Sequence, residues 1–301
     1  MKTEIRGSVV PLITPFRDDL SIDFECLARL IDWHVREGTH CISVAGTTGE
    51  PSSLSIEERE KLFEKAIECV DGRVPFVAGT GTNNLEDTLR LTRKAEGLGA
   101  DAALVIAPYY VKPSQEGLFR YFSKIASSVS IRIILYNIPG RAAVNIEPET
   151  VGRLAEEYGN VYGIKESIRD LDHVTAVLSL CGRDFKVYSG IESLCFPMLA
   201  IGGAGHFSAT ANILPREVAG IYDLTVAGRW GEAADMHFRL FPFNDAVFWE
   251  TNPVPIKAAM SIMGLSGASV RPPLSSLSDE NMQRMRKLLS EHLPASTGAG
   301  K

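Results

Sequence analysis

Several classes of protein are disfavoured by what this sequence lacks. No apolar run approaches the ~18 residues that a membrane-spanning helix needs. The first six residues are short and polar, without the apolar stretch of a signal peptide. No stripe of Lys and Arg is present, and 31 basic against 37 acidic side chains give a net charge of -6. We therefore expect a cytoplasmic protein whose partners are small molecules, with no nucleic acid and no membrane.

Cysteine and histidine are also sparse and scattered. The five cysteines are odd in number and form no C-x-x-C pair, which disfavours a disulfide framework. The six histidines form no H-x-x-x-H motif and no cluster with cysteine. The sequence predicts reduced thiols that behave as small apolar side chains, and it predicts no metal site.

Short β-branched runs alternate with longer amphipathic stretches through the first two thirds of the 301 residues. Eight such runs, spaced roughly 25–30 residues apart, indicate an α/β fold, a (β/α)8 TIM barrel, rather than an open doubly wound sheet, which stays the alternative. The predicted strands cover residues 8–14, 41–45, 74–78, 102–107, 132–136, 161–165, 185–189 and 204–208.

The strand pattern ends after about residue 215, and helical patterns follow over 217–227, 230–248, 254–263 and 279–293. We therefore predict a barrel over residues 1–214 that carries the active site. A helical C-terminal extension follows over 215–293. The last residues, 294–301, are small and polar and are predicted to form a flexible tail.

The chemistry of a β/α barrel lies at the carboxyl ends of its strands, so the strand ends give the candidate residues. After the second strand, the hydroxyls of Thr47 and Thr48 and the nearby glycine amides could hold a carboxylate, although an ordinary turn explains them equally well. After the fifth strand, Tyr136 could move protons and Arg141 could grip a carboxylate. The glycine-rich loop 79–84 lacks the lysine of a phosphate-binding P-loop.

The sixth predicted strand ends in Lys165, which is the most informative position. Burial of an ammonium ion is costly, so a lysine that points into the barrel mouth is expected to hold more free amine. A free amine is the nucleophile that forms a Schiff base with a ketone. The structural alternative is a lysine that is neutralised by a carboxylate such as Glu166.

Taken together, the strand ends are similar to those of the dihydrodipicolinate synthase / N-acetylneuraminate lyase family of class I pyruvate-dependent aldolases. The resemblance runs from about Gly7 to about Leu289. It rests on six short motifs that occur in the right order, namely residues 46–50 (GTTGE), 108–110 (PYY), 113–117 (PSQEG), 136–141 (YNIPGR), 163–166 (GIKE) and 251–257 (TNPVPIK).

The resemblance implies a role for each matching residue. Lys165 would form an imine with pyruvate, and Tyr136 would donate and accept protons beside it. Thr47 and Tyr110 would extend a proton relay, with Tyr110 supplied by a neighbouring subunit. The family needs no metal and no organic cofactor, because the lysine forms the covalent imine itself. Its members are often homotetramers built from dimers.

The resemblance also implies a binding site for two small acids. Thr48 would hold the pyruvate carboxylate, and the backbone at Gly190 and Phe207 would line the pyruvate site. Arg141 resembles the arginine with which the synthases of the family grip the carboxylate of L-aspartate 4-semialdehyde. The expected reaction is therefore the condensation of pyruvate with this aldehyde to 4-hydroxy-tetrahydrodipicolinate, on the route to lysine.

Other interpretations stay open at this stage. Arg169, Ile191 and the large Phe207 depart from the usual synthase pattern. Phe207 could reshape the pyruvate pocket, and Arg169 and Ile191 would suit a longer or more acidic second substrate if both face the site. A pyruvate-releasing aldolase or a 2-keto-3-deoxy acid dehydratase of the same superfamily is the alternative. A non-catalytic sensor of small acids is a more remote one, since Lys165, Tyr136 and Thr47 are all present.

Feedback inhibition is expected to be weak or absent. In the lysine-sensitive synthases of the family, histidines follow the GTTGE motif and help to form the inhibitor site. Here Ile56 and Arg59 stand in the matching stretch, and Asp87 stands where a glutamate is usual. We therefore expect L-lysine to inhibit this protein weakly or not at all.

Overall fold

The computed structural model describes residues 3–292, and its centre is a closed barrel of eight parallel strands. Neighbours in the barrel follow chain order, and the last strand pairs with the first. The predicted barrel is confirmed, and the open doubly wound sheet is wrong. The strands are β1 (Gly7–Pro11), β2 (Cys41–Val44), β3 (Phe76–Gly79), β4 (Ala102–Ile106), β5 (Arg132–Asn137), β6 (Val161–Glu166), β7 (Lys186–Ser189) and β8 (Gly205–Phe207).

Helices connect the strands and continue beyond the barrel. They are α1 (Phe24–Arg36), α2 (Ile56–Val70), α3 (Leu85–Gly97), α4 (Gln115–Ala126), α5 (Pro139–Ala142), α6 (Pro148–Glu157), α7 (Leu171–Cys181), α8 (Cys195–Ala200), α9 (Pro215–Val226), α10 (Trp230–Ala246), α11 (Val254–Ile262) and α12 (Asp279–His292). Ser55 and Glu58 cap α2 reciprocally, as their spacing indicates. The predicted tail, 294–301, lies outside the described residues. Within residues 3–292, no helix is both long enough and apolar enough to cross a bilayer.

The sequence pattern of residues 192–201 predicts a helix, and this prediction is wrong in the first turn. The structure has a 3-10 turn over Glu192–Leu194, and α8 begins only at Cys195. Pro197 explains the difference, because it has no N–H to donate to the carbonyl of Ser193 and its ring would clash with that carbonyl. A proline is tolerated in the first turn of a helix, where α8 places it.

The buried side chains form two cores separated by the strands. The larger core fills the space between strands and helices and includes Ile133 and Leu135 of β5. The smaller core fills the barrel and includes Ile134 and Tyr136 of the same strand. Because strand residues alternate between faces, Tyr136 points into the barrel and Asn137 points toward the helices. Residues paired across parallel strands share a face, and β6 pairs Lys165 with Tyr136.

The segment after the barrel is bonded to the loop that follows β2. Lys257 of α11 is buried, forms an ion pair with Glu50 and donates a hydrogen bond to the carbonyl of Ser269 at 2.8 Å. Burial lowers the pKa of Lys257 to about 8, although the negative charge of Glu50 acts to raise it. The backbone N–H of Arg271 donates to Glu50 at 3.0 Å, and its guanidinium makes two hydrogen bonds to Glu58, at 2.6 and 2.8 Å. We refer to Glu50, Glu58, Lys257 and Arg271 as the Glu50 network.

Candidate active site

Three of the predicted catalytic side chains meet at the carboxyl end of the barrel. Lys165 ends the inward face of β6 and is 5% exposed. Its Nζ lies 4.0 Å from the centre of the Tyr136 ring and 5.0 Å from the centre of the Phe207 ring. The Tyr136 hydroxyl lies 3.4 Å from Thr47 Oγ1, within hydrogen-bond distance. The structure thus brings an amine, a phenol and an alcohol into one row.

Glu166 is not the partner of Lys165. It is fully buried on the opposite face of β6, where it accepts a hydrogen bond from Asn137 Nδ2 at 2.9 Å and lies 3.3 Å from His173 Nε2. The alternative in which Glu166 neutralises the lysine is therefore wrong. The reason is the two-residue period of a strand, which sends neighbouring side chains to opposite faces.

The phenol of Tyr136 is prepared for proton transfer. Burial opposes its ionisation, but the positive charge of Lys165 and hydrogen bonds from the Thr47, Lys165 and Ser167 side chains outweigh the burial. The pKa of Tyr136 is therefore lowered from its usual value near 10. A phenol whose pKa lies closer to neutral is a better donor and acceptor of protons at physiological pH.

Gly190 allows the loop after β7 to approach the lysine. A Cβ atom at Gly190 would lie 2.1 Å from Ser167 Oγ and 2.7 Å from Lys165 Cε, so no other residue fits without displacing one of them. Its N–H donates to the carbonyl of Glu166 at 2.7 Å. The predicted residues Gly190 and Phe207 therefore both lie beside Lys165.

Asn252, which contacts the site, and Glu192, which interacts electrostatically with Lys165, were not predicted from the sequence. Asn252 donates from Nδ2 to Thr48 Oγ1 at 3.1 Å and so fixes the hydroxyl of the buried Thr48. Glu192 is buried and accepts a hydrogen bond from the N–H of Ala209 at 2.6 Å, and burial raises its pKa to about 7. Asn252 falls in one of the matching motifs, which was the only signal for it.

A cavity of about 330 Å³ opens beside this row of side chains. Thr47, Tyr136 and Arg141 line it, and Arg141 is exposed. Lys165 is not among the described residues of the cavity wall. Its amine packs against the ring of Tyr136, which is part of that wall. The volume suits a ligand of a few carbon atoms, and Arg141 gives the cavity a group that binds carboxylates.

Tyr110 does not join the site within one chain. Its side chain is 87% exposed, its φ is 75°, and it is absent from the described residues that line the cavity. The role predicted for it needs a neighbouring subunit and stays a prediction. Arg169 is also exposed, and its Nη1 donates to Ser193 Oγ at 3.3 Å. Neither Arg169 nor Ile191 is among the described residues of the cavity wall.

Fold and site together define a (β/α)8 barrel with a buried lysine and a tyrosine in contact at its carboxyl end. A family model described as the dihydrodipicolinate synthetase family matches residues 4–292. The chain belongs to this family.

Individual relatives agree with the family match. A 4-hydroxy-tetrahydrodipicolinate synthase of Thermus thermophilus is 46% identical over 288 residues, which cover 95% of this chain and 96% of the relative. The crystal structure of dihydrodipicolinate synthase from Aquifex aeolicus is 40% identical with a TM-score of 0.94, covering 96% of this chain and 98% of that one. A synthase structure from Cyanidioschyzon merolae with lysine bound is 32% identical with a TM-score of 0.92, covering 95% and 98%.

Proposed function

We propose that the protein is a Schiff-base-forming lyase that condenses pyruvate with L-aspartate 4-semialdehyde to 4-hydroxy-tetrahydrodipicolinate. The observation that carries the proposal is the row of Lys165, Tyr136 and Thr47, with 4.0 Å from Lys165 Nζ to the Tyr136 ring centre and 3.4 Å from Tyr136 to Thr47. The names and identities of the relatives support the choice of reaction.

The first half of the reaction makes a carbon nucleophile from pyruvate. The Lys165 amine attacks the keto carbon, Tyr136 passes a proton to the former keto oxygen, and that oxygen leaves as water. The resulting protonated imine accepts electrons, so a methyl proton moves to a base and an enamine forms. Tyr136 would move these protons, and its hydrogen bond with Thr47 supports this role. The imine itself does the electronic work, and the proposal includes no metal and no organic cofactor.

The second half joins the two substrates. The enamine carbon attacks the aldehyde carbon, and the aldehyde oxygen takes up a proton to become the 4-hydroxyl group. The amino group of the semialdehyde then attacks the imine carbon and displaces Lys165, which closes the ring. One water is released overall, in the step that forms the first imine. Arg141 would hold the carboxylate of the semialdehyde with two parallel hydrogen bonds.

The other predicted residues complete the proposal. Thr48 would hold the pyruvate carboxylate, and Gly190 and Phe207 would line the pyruvate pocket. Tyr110 would enter from a neighbouring subunit of a homotetramer built from dimers, and its exposure in the single chain supports this assignment. We also propose that residues 1–214 form the barrel that carries the site, that 215–293 form its extension, and that the protein acts in the cytoplasm.

The direct test is borohydride reduction in the presence of pyruvate, followed by peptide mass mapping and by assay with L-aspartate 4-semialdehyde. We expect a pyruvate adduct on Lys165 and consumption of the semialdehyde. An adduct without turnover of the semialdehyde would reject the second substrate and favour an aldolase or dehydratase for sugar-derived keto acids. Absence of the adduct in folded protein would reject the proposed mechanism as a whole.

L-lysine is expected to leave the activity within about twofold of its uninhibited value at millimolar concentration. Arg59 is 3% exposed and lines the cavity, and its guanidinium donates to the carbonyl of Gly79 at 2.6 Å. Burial lowers the pKa of Arg59 to about 10, so the group stays charged at neutral pH. A fixed cation repels the ammonium groups of lysine. The measurement is the initial rate against L-lysine concentration, and strong inhibition at micromolar lysine would contradict the prediction.

A further inference from the structure

A hydrogen-bonded pair of side chains lies directly behind the proposed catalytic residues. Asn137 follows Tyr136 in β5, Glu166 follows Lys165 in β6, and the two strands pair these residues in register. We propose that Asn137 and Glu166 are positioning residues, which hold Tyr136 and Lys165 at the separation that proton transfer requires. This inference deepens the proposed function and rests on it.

The contact between the two side chains is short and fully buried. Asn137 Nδ2 donates to Glu166 Oε2 at 2.9 Å, and both residues are 0% exposed. Backbone hydrogen bonds also join the residues around the pair. The N–H of Ser167 donates to the carbonyl of Asn137 at 2.9 Å, and the N–H of Gly190 donates to the carbonyl of Glu166 at 2.7 Å. In a site that excludes water, a hydrogen bond to a charged oxygen is among the stronger ones.

Each member of the pair is also fixed by a neighbour that does not belong to the two strands. Asn137 Oδ1 accepts a hydrogen bond from the N–H of Ile146 at 3.1 Å. Glu166 Oε1 lies 3.3 Å from His173 Nε2, on α7. Burial raises the pKa of Glu166, while His173 and Asn137 favour its charged form. The segment before α6 and the helix α7 therefore both contact the pair from outside the two strands.

A displacement of this pair would reach the reacting groups through a single peptide unit. Tyr136 and Lys165 point into the barrel from positions directly before Asn137 and Glu166. Because a misplacement of ~1 Å can reduce a rate by roughly a hundredfold, a small shift of the strand ends is sufficient to affect turnover.

A donor–acceptor exchange tests the pair. Asn137→Asp sets one carboxylate against another, and we expect kcat to fall roughly ten- to hundredfold with a smaller change in the KM for pyruvate. Glu166→Gln alone keeps an oxygen toward Asn137 and is expected to have a milder effect. The double variant Asn137→Asp/Glu166→Gln restores the bond in the reverse direction, because the glutamine amide donates to the aspartate. It is expected to recover most of the lost kcat.

Asn145 is a further contact of Asn137 that the exchange must accommodate. Its Oδ1 accepts from Asn137 Nδ2 at 2.7 Å, and its Nδ2 donates to the exposed Glu147 at 3.1 Å. After Asn137→Asp, the Asn145 amide can turn over and donate from Nδ2 to the new carboxylate. Glu147 then exchanges its contact with Asn145 for water, which its exposure allows. Asn145 is therefore left unchanged in every variant.

Asn160→Ala is the matched control at the other end of β6. Asn160 precedes the strand, is half-buried and donates from Nδ2 to the carbonyls of Ala126 and Val129 at 3.0 and 2.9 Å. Its loss is expected to lower the urea midpoint of unfolding without changing kcat or the pH profile. Asn137→Asp should instead change kcat, the rate of borohydride trapping with pyruvate and the alkaline limb of the pH profile.

The outcomes separate this inference from the proposed function. If the parent protein forms no pyruvate adduct, the proposed function fails and the inference fails with it. If the parent is trapped normally, three results overturn the inference alone. They are a kcat of Asn137→Asp within twofold of the parent, an equal loss of kcat in Asn160→Ala at the same loss of stability, or a double variant no better than Asn137→Asp.

Discussion

Replacement of Lys165 by methionine is expected to reduce the condensation rate by at least about 10⁴-fold and to abolish the borohydride-trapped pyruvate adduct. Methionine has nearly the length of lysine and suits the rings of Tyr136 and Phe207, between which Lys165 Nζ lies at 4.0 and 5.0 Å from the ring centres. The fold should therefore survive the change. The loss follows because the variant has no amine at position 165 to form the imine.

Lys186→Met is the matched control for this prediction. Lys186 is also a buried lysine in a barrel strand, but it begins β7 and pairs with Glu4 at 2.8 Å, at the opposite end of the barrel. Its loss should lower stability and leave trapping at Lys165 intact. The measurements are the initial rate, the mass of the reduced peptide that contains residue 165, and the urea midpoint. An adduct of normal yield in Lys165→Met would show that the nucleophile lies elsewhere.

Replacement of Tyr136 by phenylalanine is expected to lower kcat by roughly 10²- to 10⁴-fold, the range for loss of a positioned proton donor. The ring would still pack against Lys165, so slow trapping of pyruvate should persist. Turnover should fall because the variant lacks the Tyr136 hydroxyl, the hydrogen-bond partner of Thr47 that is proposed to move protons to and from the imine. Unlike Lys165→Met, this variant separates imine formation from the later steps.

The pH dependence gives an independent check on Tyr136. Burial raises the pKa of its phenol, but the charge of Lys165 and the hydrogen bond from Thr47 lower that pKa by more. If the protonated phenol is needed, activity should decline with rising pH below the usual range of a tyrosine. Thr47→Val removes one stabiliser of the phenolate, so the decline should move to higher pH.

Tyr188→Phe is the control for both experiments. Tyr188 is fully buried in the barrel, and its hydroxyl donates to the carbonyl of Ile5 at 2.9 Å, away from the row of Lys165, Tyr136 and Thr47. Removal of the Tyr188 hydroxyl should lower the free energy of unfolding by about 1 kcal/mol and leave the pH profile of activity unchanged. Equal losses of kcat in Tyr136→Phe and Tyr188→Phe would argue against a role of Tyr136 in proton transfer.

The sequence predicted the barrel and most of the strand ends because a buried parallel strand is a short, almost continuous apolar run that stops where the chain turns polar. That pattern was sufficient to single out Lys165. It could not decide whether Lys165 points into the barrel mouth as a free amine or is paired with Glu166, because adjacent residues of a strand differ only in the face of the sheet that they occupy. The register between β5 and β6 decided it, by pairing Lys165 with Tyr136 and Glu166 with Asn137.

Other features depend on contacts between distant parts of the chain. The steric need for glycine at position 190 follows from the approach of Ser167 and Lys165, which no local motif encodes. The bond from Asn252 to Thr48 joins residues that are 204 positions apart. The role proposed for Tyr110 would need a second subunit, so a single chain does not determine it.

The Glu50 network limits how this chain can be recombined with its relatives. Glu50 directly follows the loop of Thr47 and Thr48, yet the lysine that neutralises it arrives more than two thirds of the way along the chain. A chimaera joined near residue 214, whose second parent lacked a matching cation, would leave this carboxylate buried and unpaired, at a typical cost of about 3–5 kcal/mol. Chimaeras that take residues 47–58 and 251–271 from the same parent avoid that cost. These two segments, although distant in sequence, therefore have to be exchanged together.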